Sequence, residues 1–341
     1  MDSPRHAAYD PPMTGDALAP GTELFGYAIQ RVIGKGGMGT VYLAKQLSLG
    51  RQVALKVLHP SRLRSQPQID QFVREAQNAG RFNHPHLVLV HDAHVDAARG
   101  LYCYSMEYVP GRTLAKLVTE RGPLGASAAL HLIYQVAKAL AHAHRAGLVH
   151  RDVKPDNILV ADNGLAKLAD LGLVHDKLEG VGSSGRSVLS LVGTPEYSAP
   201  EQSRDPKRVT AACDAYSLGA CLYFALTGRP PFVGTTVIDT IVKAATETVE
   251  LPDHLEPGQR VLLGHLLARS PVDRFADGDA VVQALETLAR GGEITVDQPA
   301  DDDDTLSDED AVDEKDAPAA GGAAASSKSN RFKRVRRRRR H

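Results

Sequence analysis

Three polar residues between positions 148 and 160 have side chains of the types needed to move a phosphoryl group. The stretch reads LVHRDVKPDNILV; Asp152 precedes Asn157 by five positions, and Lys154 lies between them. A carboxylate can accept a hydroxyl proton, an amide oxygen can hold a metal ion, and an ammonium group can neutralise a phosphoryl group in transfer. The apolar residues 158–160 follow and predict a strand that closes the loop. We therefore interpret this stretch as a catalytic loop rather than a polar turn formed by chance.

A glycine cluster near the start of the chain has the composition of a phosphate-binding loop. Residues 34–41 read GKGGMGTV and lie between two strand-like segments. Glycine lets the backbone approach a phosphate closely and offer its N–H groups. A hairpin turn needs glycine as well, so the cluster by itself leaves both interpretations open. The dinucleotide-binding version of this motif should open a helix, and the strand that follows here argues against that fold.

Lys56 lies in the next strand-like segment, residues 52–58, among apolar neighbours. It is either a solvated surface residue or a group that points into a cleft. In a cleft it needs an anionic partner, because an unpaired buried ammonium group is costly. Glu75 on the following predicted helix is the candidate, and the pair would hold Lys56 against the phosphates of a nucleotide.

The elements that must position these residues form a β-rich part followed by a helical part. Short alternating segments rich in β-branched and aromatic residues predict five strands, at residues 25–33, 40–46, 52–58, 86–96 and 101–109. Apolar residues at helical spacing predict helices at 68–81, 126–146, 214–227, 237–245, 258–267 and 277–289. The fold class is therefore α+β, with two unlike lobes joined near residues 109–111. A ligand site is expected in the cleft between them.

The near-neutral charge of the chain hides three regions of different charge. The 341 residues carry 40 Lys and Arg against 41 Asp and Glu, but residues 293–341 hold 10 of the former and 12 of the latter. Eight of the last eleven residues are Lys or Arg, and the preceding stretch is acidic. The body, with 30 basic and 29 acidic residues, is nearly neutral and large enough to bury about three-quarters of its unfolded surface.

Composition also excludes several classes of protein. The most apolar run, residues 219–226, is far shorter than the ~20 residues that span a bilayer. The N-terminus lacks the pattern of a secretory signal. Cys103, Cys213 and Cys221 have no metal-binding spacing and are interpreted as reduced thiols packed in the core. We expect a cytoplasmic protein on these grounds.

Taken together, the motifs resemble the protein kinase superfamily, specifically the bacterial serine/threonine kinases of eukaryotic (Hanks) type. The resemblance covers about residues 24–290, and the motifs occur in the order and at the spacing of the family. The matching residues of the Gly-rich loop, third strand, helix C and catalytic loop are Gly34, Gly36, Gly39, Val41, Ala54, Lys56, Glu75, His150, Arg151, Asp152 and Asn157.

Further matches lie downstream. Residues 170–172 read D-L-G where the family has D-F-G, and the leucine keeps both the metal-binding Asp170 and an apolar plug. Residues 193–201 (GTPEYSAPE) resemble the substrate-binding segment and the A-P-E motif. The resemblance implies that Asp214 anchors the catalytic loop and that Arg274 pairs with Glu201.

The resemblance implies a bilobal fold, with a five-stranded antiparallel sheet and helix C in the small lobe and a larger helical lobe. It implies transfer of the γ-phosphoryl group of ATP to a protein hydroxyl with Mg²⁺, or Mn²⁺, as cofactor. In the family's terms, Asp152 is the base, Lys154 steadies the γ-phosphate, Lys56 holds the α- and β-phosphates, Glu75 orients Lys56, and Asn157 and Asp170 bind the metal.

The resemblance also implies an ATP pocket. The phosphates lie under the loop that includes Lys35, Gly37 and Met38, and the adenine lies between Val41 and Ala54 on one side and Leu159 on the other. The hinge comprises Glu107, Tyr108 and Val109, and Met106 gates the space behind the pocket.

Substrate class and regulation are implied less directly. Lys154, two residues after the catalytic Asp, and Thr194 favour Ser/Thr over Tyr as acceptor. Arg151 places a cation near the activation segment, where phosphorylation of Ser183, Ser184, Ser187 or Ser190 could satisfy it; the alternative is that these are ordinary loop serines. A pseudokinase scaffold and a small-molecule kinase remain alternatives. The full catalytic set argues against the first, and residues 193–201 argue against the second.

The resulting organisation has four parts. Residues 1–22 are predicted to be a disordered leader, 23–290 the kinase domain (lobes 23–109 and 110–290), 291–330 an acidic and then Gly/Ala/Ser-rich linker, and 331–341 a basic tail.

The tail has three interpretations: contact with nucleic acid or an anionic membrane surface, an internal partner for the acidic run, or the flank of a membrane span beyond residue 341. Protein substrates are the expected partners, and self-association through the small lobe is a further expectation from the family.

Overall fold

The computed structural model describes residues 17–37, 39–59, 65–171, 194–205 and 209–295. These residues form a β-rich N-terminal part and a helical C-terminal part, in agreement with the α+β, bilobal fold expected from the sequence. The hydrophobic core is divided accordingly, with two apolar clusters in the N-terminal part and one large cluster in the C-terminal part.

A curved antiparallel sheet forms the N-terminal part. Its strands follow the order β1-β2-β3-β4-β6-β5. Their bounds are β1 Glu23–Leu24, β2 Tyr27–Gly36, β3 Gly39–Gln46, β4 Arg51–Leu58, β5 Val90–Asp96 and β6 Leu101–Glu107. Strands β4 and β6 lie inside the sheet and supply most of its buried side chains. The central position of β4 and β6 explains why both are mainly apolar.

Helix α1, Gln66–Ala79, packs on one face of this sheet. Its first turn is stabilised by the side chain of Gln68, whose Oε1 accepts the backbone N–H of the N-cap residue Ser65 at 3.2 Å. Ile69, Phe72 and Ala76 recur at helical spacing and are buried. The helix therefore presents one apolar stripe to the sheet.

The helical part contains seven helices within the described ranges and a small sheet. The helices are α2 Leu114–Arg121, α3 Ala126–Arg145, α4 Pro200–Arg204, α5 Ala212–Thr227, α6 Val237–Thr246, α7 Pro257–Leu266 and α8 Gly278–Ala289. Strands β7 Gly111–Thr113, β8 Ile158–Ala161 and β9 Ala166–Leu168 form the sheet. Helix α5 is the centre of this part, since every residue from Ala212 to Leu226 is buried.

Close backbone contact between α3 and α8 depends on Gly278. A Cβ atom at this position would lie 2.3 Å from the backbone nitrogen of Ala141, well inside van der Waals contact. Glycine is therefore required where α8 begins. This contact brings the start of α8 against the C-terminal half of α3, which carries His144.

Several sequence predictions need correction. The sheet has six strands rather than five, because the two-residue strand β1 pairs with β2. The strand predicted at 86–96 begins only at Val90, since Leu87 forms an isolated bridge with Leu168 instead of joining the sheet. Helices α2 and α4 were not predicted. The other helices agree with prediction to within two residues at either end. No helix in the described part of the chain is long and apolar enough to cross a membrane.

Candidate active site

The backbone of the catalytic loop is held by the buried carboxylate of Asp214. Asp214 lies in the first turn of α5 and is 0% exposed. Its Oδ2 accepts the backbone N–H of His150 at 2.7 Å, and its Oδ1 accepts the backbone N–H of Arg151 at 2.7 Å. Hydrogen bonds from backbone donors to a carboxylate are strong. The anchoring contact expected for Asp214 is therefore present.

His144 supplies a third donor to Asp214. Its Nδ1 accepts the backbone N–H of Gly278 at 2.9 Å, so the ring proton is on Nε2, which donates to Asp214 Oδ2 at 2.9 Å. Burial by itself raises the pKa of Asp214, but the hydrogen bond from His144 and the charges and donors around it outweigh burial and lower that pKa below its ordinary value. Asp214 is thus a buried anion with several donors.

His150 connects the loop to the segment that carries Asp170. Its Nε2 donates to the carbonyl oxygen of Ala169 at 3.0 Å, and its Nδ1 accepts the backbone N–H of Asp152 at 3.2 Å. The next residue, Arg151, has φ of 60°, in the left-handed region that side chains disfavour. The contacts of His150 and Asp214 on both sides hold this conformation and fix the start of Asp152.

The side chain of Asp152 contacts both other residues of the predicted catalytic trio. Lys154 Nζ donates to its two carboxylate oxygens at 2.9 and 2.7 Å. Asn157 Nδ2 donates to the Asp152 carbonyl oxygen at 2.8 Å and to its Oδ2 at 3.1 Å. The structure therefore brings the carboxylate, the ammonium group and the amide together on one loop.

Asn157 and Asp170 fit the requirements of a divalent metal site. Because the Asn157 amide nitrogen donates to Asp152, its amide oxygen is the atom presented as a ligand. The backbone N–H of Ala169, the residue before Asp170, donates to the Asn157 carbonyl at 2.8 Å, so the two segments are adjacent. An amide oxygen and a carboxylate are hard oxygen ligands of the kind Mg²⁺ prefers.

Two side chains of the N-terminal sheet hold the Asp170 carboxylate. Lys56 Nζ lies 2.7 Å from its Oδ2, and the Tyr104 hydroxyl donates to its Oδ1 at 2.7 Å. Burial by itself raises the pKa of Asp170, but the charge of Lys56 and these hydrogen bonds lower it below its ordinary value. The partner predicted for Lys56 was Glu75; Glu75 lies on α1, and its side chain falls outside the described residues.

The residues predicted to surround the adenine share one apolar cluster. Ala54 and Met106 are buried in it, and Val41, Val109 and Leu159 pack against it while partly exposed. Val41, Ala54 and Met106 come from three adjacent strands, whereas Leu159 comes from β8 of the helical part. The cluster therefore has walls from both parts of the molecule, as a pocket between lobes requires.

The glycine cluster forms the hairpin between β2 and β3. Gly34, Lys35 and Gly36 lie on β2, Gly36 pairs with Gly39, and Gly37 lies in the turn. A Cβ atom on Gly39 would lie 2.1 Å from the carbonyl oxygen of Val57, so this position excludes any side chain. Met38 lies outside the described residues.

A lysine that sequence reasoning missed stabilises the hinge. Lys167 on β9 lies 2.9 Å from Glu107 Oε2 and also donates to the Leu87 carbonyl at 3.3 Å. The Glu107 backbone N–H donates to the carbonyl of Leu89 at 2.8 Å. Lys167 is mostly buried and follows an alternating strand pattern. The alternation of residues in this strand does not indicate that Lys167 pairs with Glu107 of the hinge.

Glu201 pairs with Arg274, as the sequence predicted. Arg274 Nη1 and Nη2 donate to the two Glu201 carboxylate oxygens at 2.6 and 3.0 Å, and the guanidinium group also donates to three backbone carbonyls. Gln202, which the sequence did not single out, donates from Nε2 to the carbonyl of Arg151 at 2.8 Å. The segment around Glu201 is therefore tied to the catalytic loop.

These contacts can be compared with known families. The protein kinase domain matches residues 27–287, more than three-quarters of the chain. The chain belongs to the protein kinase family. Its kinase domain is similar in fold to the crystal structure of the Mycobacterium tuberculosis PknI kinase domain, with 28% sequence identity and a TM-score of 0.61. That match covers 79% of this chain and 99% of the PknI domain.

The kinase domain also resembles curated bacterial serine/threonine-protein kinases. It is 36% identical to PknA of Corynebacterium glutamicum over 275 residues, which cover 79% of this chain and 58% of PknA. It is 38% identical to PknL of M. tuberculosis over 270 residues, or 77% of this chain and 65% of PknL. The chain thus spans between about half and two-thirds of the length of these two relatives.

Some positions and segments singled out in the sequence lie outside the described residues. They are Met38, Gly172, Gly193, the serines at 183, 184, 187 and 190, the leader up to residue 16, and everything after residue 295, which includes the basic tail. Thr194 is described, and its carbonyl oxygen accepts the Ser198 hydroxyl at 3.1 Å.

Proposed function

We infer that this kinase domain transfers the γ-phosphoryl group of ATP to serine or threonine hydroxyls of proteins. The observation that carries the proposal is the arrangement on the catalytic loop, where Lys154 and Asn157 both contact the carboxylate of Asp152. The family match and the relatives named as serine/threonine-protein kinases support it.

Asp152 acts as the base in this proposal. It orients the acceptor hydroxyl and takes its proton as the hydroxyl oxygen forms a bond to the γ-phosphorus and the bond to the β–γ bridging oxygen breaks, releasing ADP. Lys154 moves from the Asp152 carboxylate to the γ-phosphate when ATP is bound. Asn157 keeps the Asp152 side chain in place through its amide nitrogen.

The nucleotide lies between the two parts of the molecule. Its adenine occupies the apolar cluster between Ala54 and Leu159, and Met106 limits the depth of the pocket. Its phosphates lie under the hairpin at Gly34–Gly39 and near Lys56. Asn157 and Asp170 would hold Mg²⁺, which would offset the negative charge of the phosphates.

A Ser/Thr acceptor is supported by Lys154, two residues after Asp152, and by Thr194. Both features are typical of the serine/threonine class in the family that the chain resembles. Proteins are the substrate class, because the segment that ends at Glu201 is the one on which family members hold a polypeptide.

The test is transfer of labelled phosphate from ATP to the chain itself and to a generic basic protein. Asp152→Asn should reduce the initial rate by about 10²–10⁴-fold, the typical contribution of a positioned base. Asp156→Asn is the matched control, since Asp156 is an exposed carboxylate on the same loop and should keep a rate within about twofold. Equal labelling by wild type and Asp152→Asn would contradict the proposed mechanism. Absence of transfer by a folded wild-type chain that binds ATP would favour the pseudokinase alternative.

Regulation by phosphorylation of the activation segment is part of the proposal. Among the described residues, the buried Nε of Arg151 has no hydrogen-bond partner, and a buried unpaired donor is costly. A phosphate on Ser183, Ser184, Ser187 or Ser190 would supply one. Mass spectrometry of ATP-treated protein should find one of these serines modified in the active enzyme. An active enzyme with this stretch unmodified would contradict the idea.

Residues 331–341 are proposed to bind an anionic membrane surface, because eight of eleven are basic and each contributes ~1 kcal/mol near such a surface. Flotation of the full chain with vesicles containing phosphatidylserine should show binding that is lost at high salt. Absence of binding at low salt would leave pairing of the basic tail with the acidic linker as the interpretation. Binding to nucleic acid instead of vesicles would replace the membrane proposal.

Self-association through the small lobe remains a further proposal, tested by sedimentation at increasing protein concentration.

A further inference from the structure

A tyrosine hydroxyl lies in the nucleotide site without a role in the proposed transfer. Tyr104 is the direct cross-strand partner of Lys56 in the register of β4 and β6, so the two side chains stand side by side on one face of the sheet. The Lys56 ammonium group lies 5.6 Å from the centre of the Tyr104 ring. Met106, two residues further along β6, faces the same way.

The ring and the hydroxyl of Tyr104 have separate environments. The side chain is 1% exposed, and its ring packs against Phe72 of α1 at a centroid distance of 6.2 Å. A buried hydroxyl needs a hydrogen-bond partner, and that of Tyr104 donates to Asp170 Oδ1 at 2.7 Å. Because the ring is packed on α1 and β6, the hydroxyl is a donor at a fixed position.

The two sheet residues together determine the orientation of the Asp170 carboxylate. Lys56 contacts one oxygen and Tyr104 the other, each at 2.7 Å. The backbone of Asp170 has φ of 61°, in the left-handed region disfavoured by residues with side chains. Two contacts from outside its own segment thus fix a carboxylate whose local backbone is strained.

We propose that Tyr104 is a positioning residue that orients Asp170 for the divalent ion. This inference rests on the proposed function, in which Asp170 is a metal ligand. A carboxylate oxygen has two lone pairs, so the bond from Tyr104 leaves one on Oδ1 for the metal. Partners that hydrogen-bond to metal-ligating side chains typically contribute 10–100-fold in metal affinity. Tyr104→Phe removes this donor and keeps the ring.

The test measures binding of a fluorescent ADP analogue to the full chain as Mg²⁺ is increased at constant ionic strength. For Tyr104→Phe the half-saturating Mg²⁺ concentration should rise about tenfold. Binding in the presence of EDTA should stay within twofold of wild type, which also reports that the variant is folded. Tyr104→Met, measured alongside, should show the same rise.

Two variants separate the possible failures. Tyr102→Phe is the matched control, since Tyr102 is buried on the same strand and face, and its Mg²⁺ requirement should stay within twofold. Asp170→Asn should lose the Mg²⁺ dependence altogether. An unchanged or lower Mg²⁺ requirement in Tyr104→Phe, with the dependence lost in Asp170→Asn, would overturn the role of Tyr104 and leave the proposed function intact. Wild-type Mg²⁺ dependence in Asp170→Asn would instead contradict the metal site itself.

Discussion

Asp214 and Asp170 are both carboxylates with lowered pKa values, but they are held in different ways. Asp214 accepts two backbone N–H groups and the His144 ring, all from the helical part of the molecule. Asp170 is held by the ends of two side chains, Lys56 and Tyr104, both from the N-terminal sheet. Its side chain is 19% exposed, whereas that of Asp214 is fully buried.

The difference corresponds to two proposed tasks of the site, which are positioning of the catalytic loop and binding of the metal ion. The donors to Asp214 are fixed by the backbone of the catalytic loop and by the contact of α3 with α8, so the loop has one geometry. The donors to Asp170 belong to another part of the molecule; in the proposed function Lys56 turns to the phosphates when nucleotide enters, whereas Tyr104 keeps its hydrogen bond to Oδ1. The loop that carries Asp152 is thus built into the helical core, while the proposed metal ligand Asp170 depends on contacts between the two parts.

The largest expected effect is that of Asp214→Asn on stability. The amide group has the shape of the carboxylate, but its NH₂ must face one of the donors that Asp214 now accepts, because His150, Arg151 and His144 surround both oxygens. We expect a loss of about 3–5 kcal/mol in the free energy of unfolding, measured by urea denaturation. Asp279→Asn, at an exposed ion pair, should change it by less than about 1 kcal/mol. Equal effects of the two substitutions would show that the buried Asp214 carboxylate stabilises the fold no more than an exposed one does.

A smaller effect is expected for Glu201→Gln. Arg274 is 2% exposed, and it would lose its carboxylate partner but keep the carbonyls of Ala212, Ala268 and Arg269. The expected cost is about 2 kcal/mol in the free energy of unfolding. Glu120→Gln, which removes the carboxylate of an exposed pair with Arg112, should cost no more than about 0.5 kcal/mol. A loss at Glu201 as small as that at Glu120 would show that the buried pair has no stabilising role.

A pH effect should distinguish Asp214 from its asparagine variant. Because folding lowers the pKa of Asp214, its stabilisation is present above the ordinary carboxyl pKa of 3.8 and is lost as pH falls through the lowered folded value. The stability difference between wild type and Asp214→Asn should therefore shrink below about pH 4. Chemical denaturation at pH 6, 4 and 3.5 measures it. A difference that grows towards pH 3.5 would contradict the sign of the pKa shift.

The sequence predicted those features that depend on side-chain type at fixed local spacing. Asp152, Lys154 and Asn157 lie within six residues of one another, and the structure brings their side chains into contact. The longer helices were predictable because their apolar residues recur over several turns. Strand β1 and helices α2 and α4 were missed, since elements of two to eight residues carry too little periodicity.

The contacts of Asp170 could not be predicted in the same way. Tyr104 lies 66 residues before Asp170 and follows the alternation of an ordinary buried strand, so no local pattern marks its hydroxyl. Its role depends on the register that places it opposite Lys56. Lys167 was missed for the same reason, because its partner Glu107 is 60 residues away.

Asp170→Asn gives the most direct test of the different roles of Asp170 and Asp214. Of the substitutions at Asp214, Glu201 and Asp170, it should cause the smallest loss of stability. Asn keeps one acceptor, and the Tyr104 hydroxyl can rotate to accept from the new amide, so the free energy of unfolding should fall by only about 1–2 kcal/mol. The same protein samples should show ADP binding that no longer depends on Mg²⁺, whereas folded Asp214→Asn should keep that dependence. We expect this separation of stability from metal dependence. Asp170→Asn with wild-type Mg²⁺ dependence, or with a stability loss as large as that of Asp214→Asn, would contradict it.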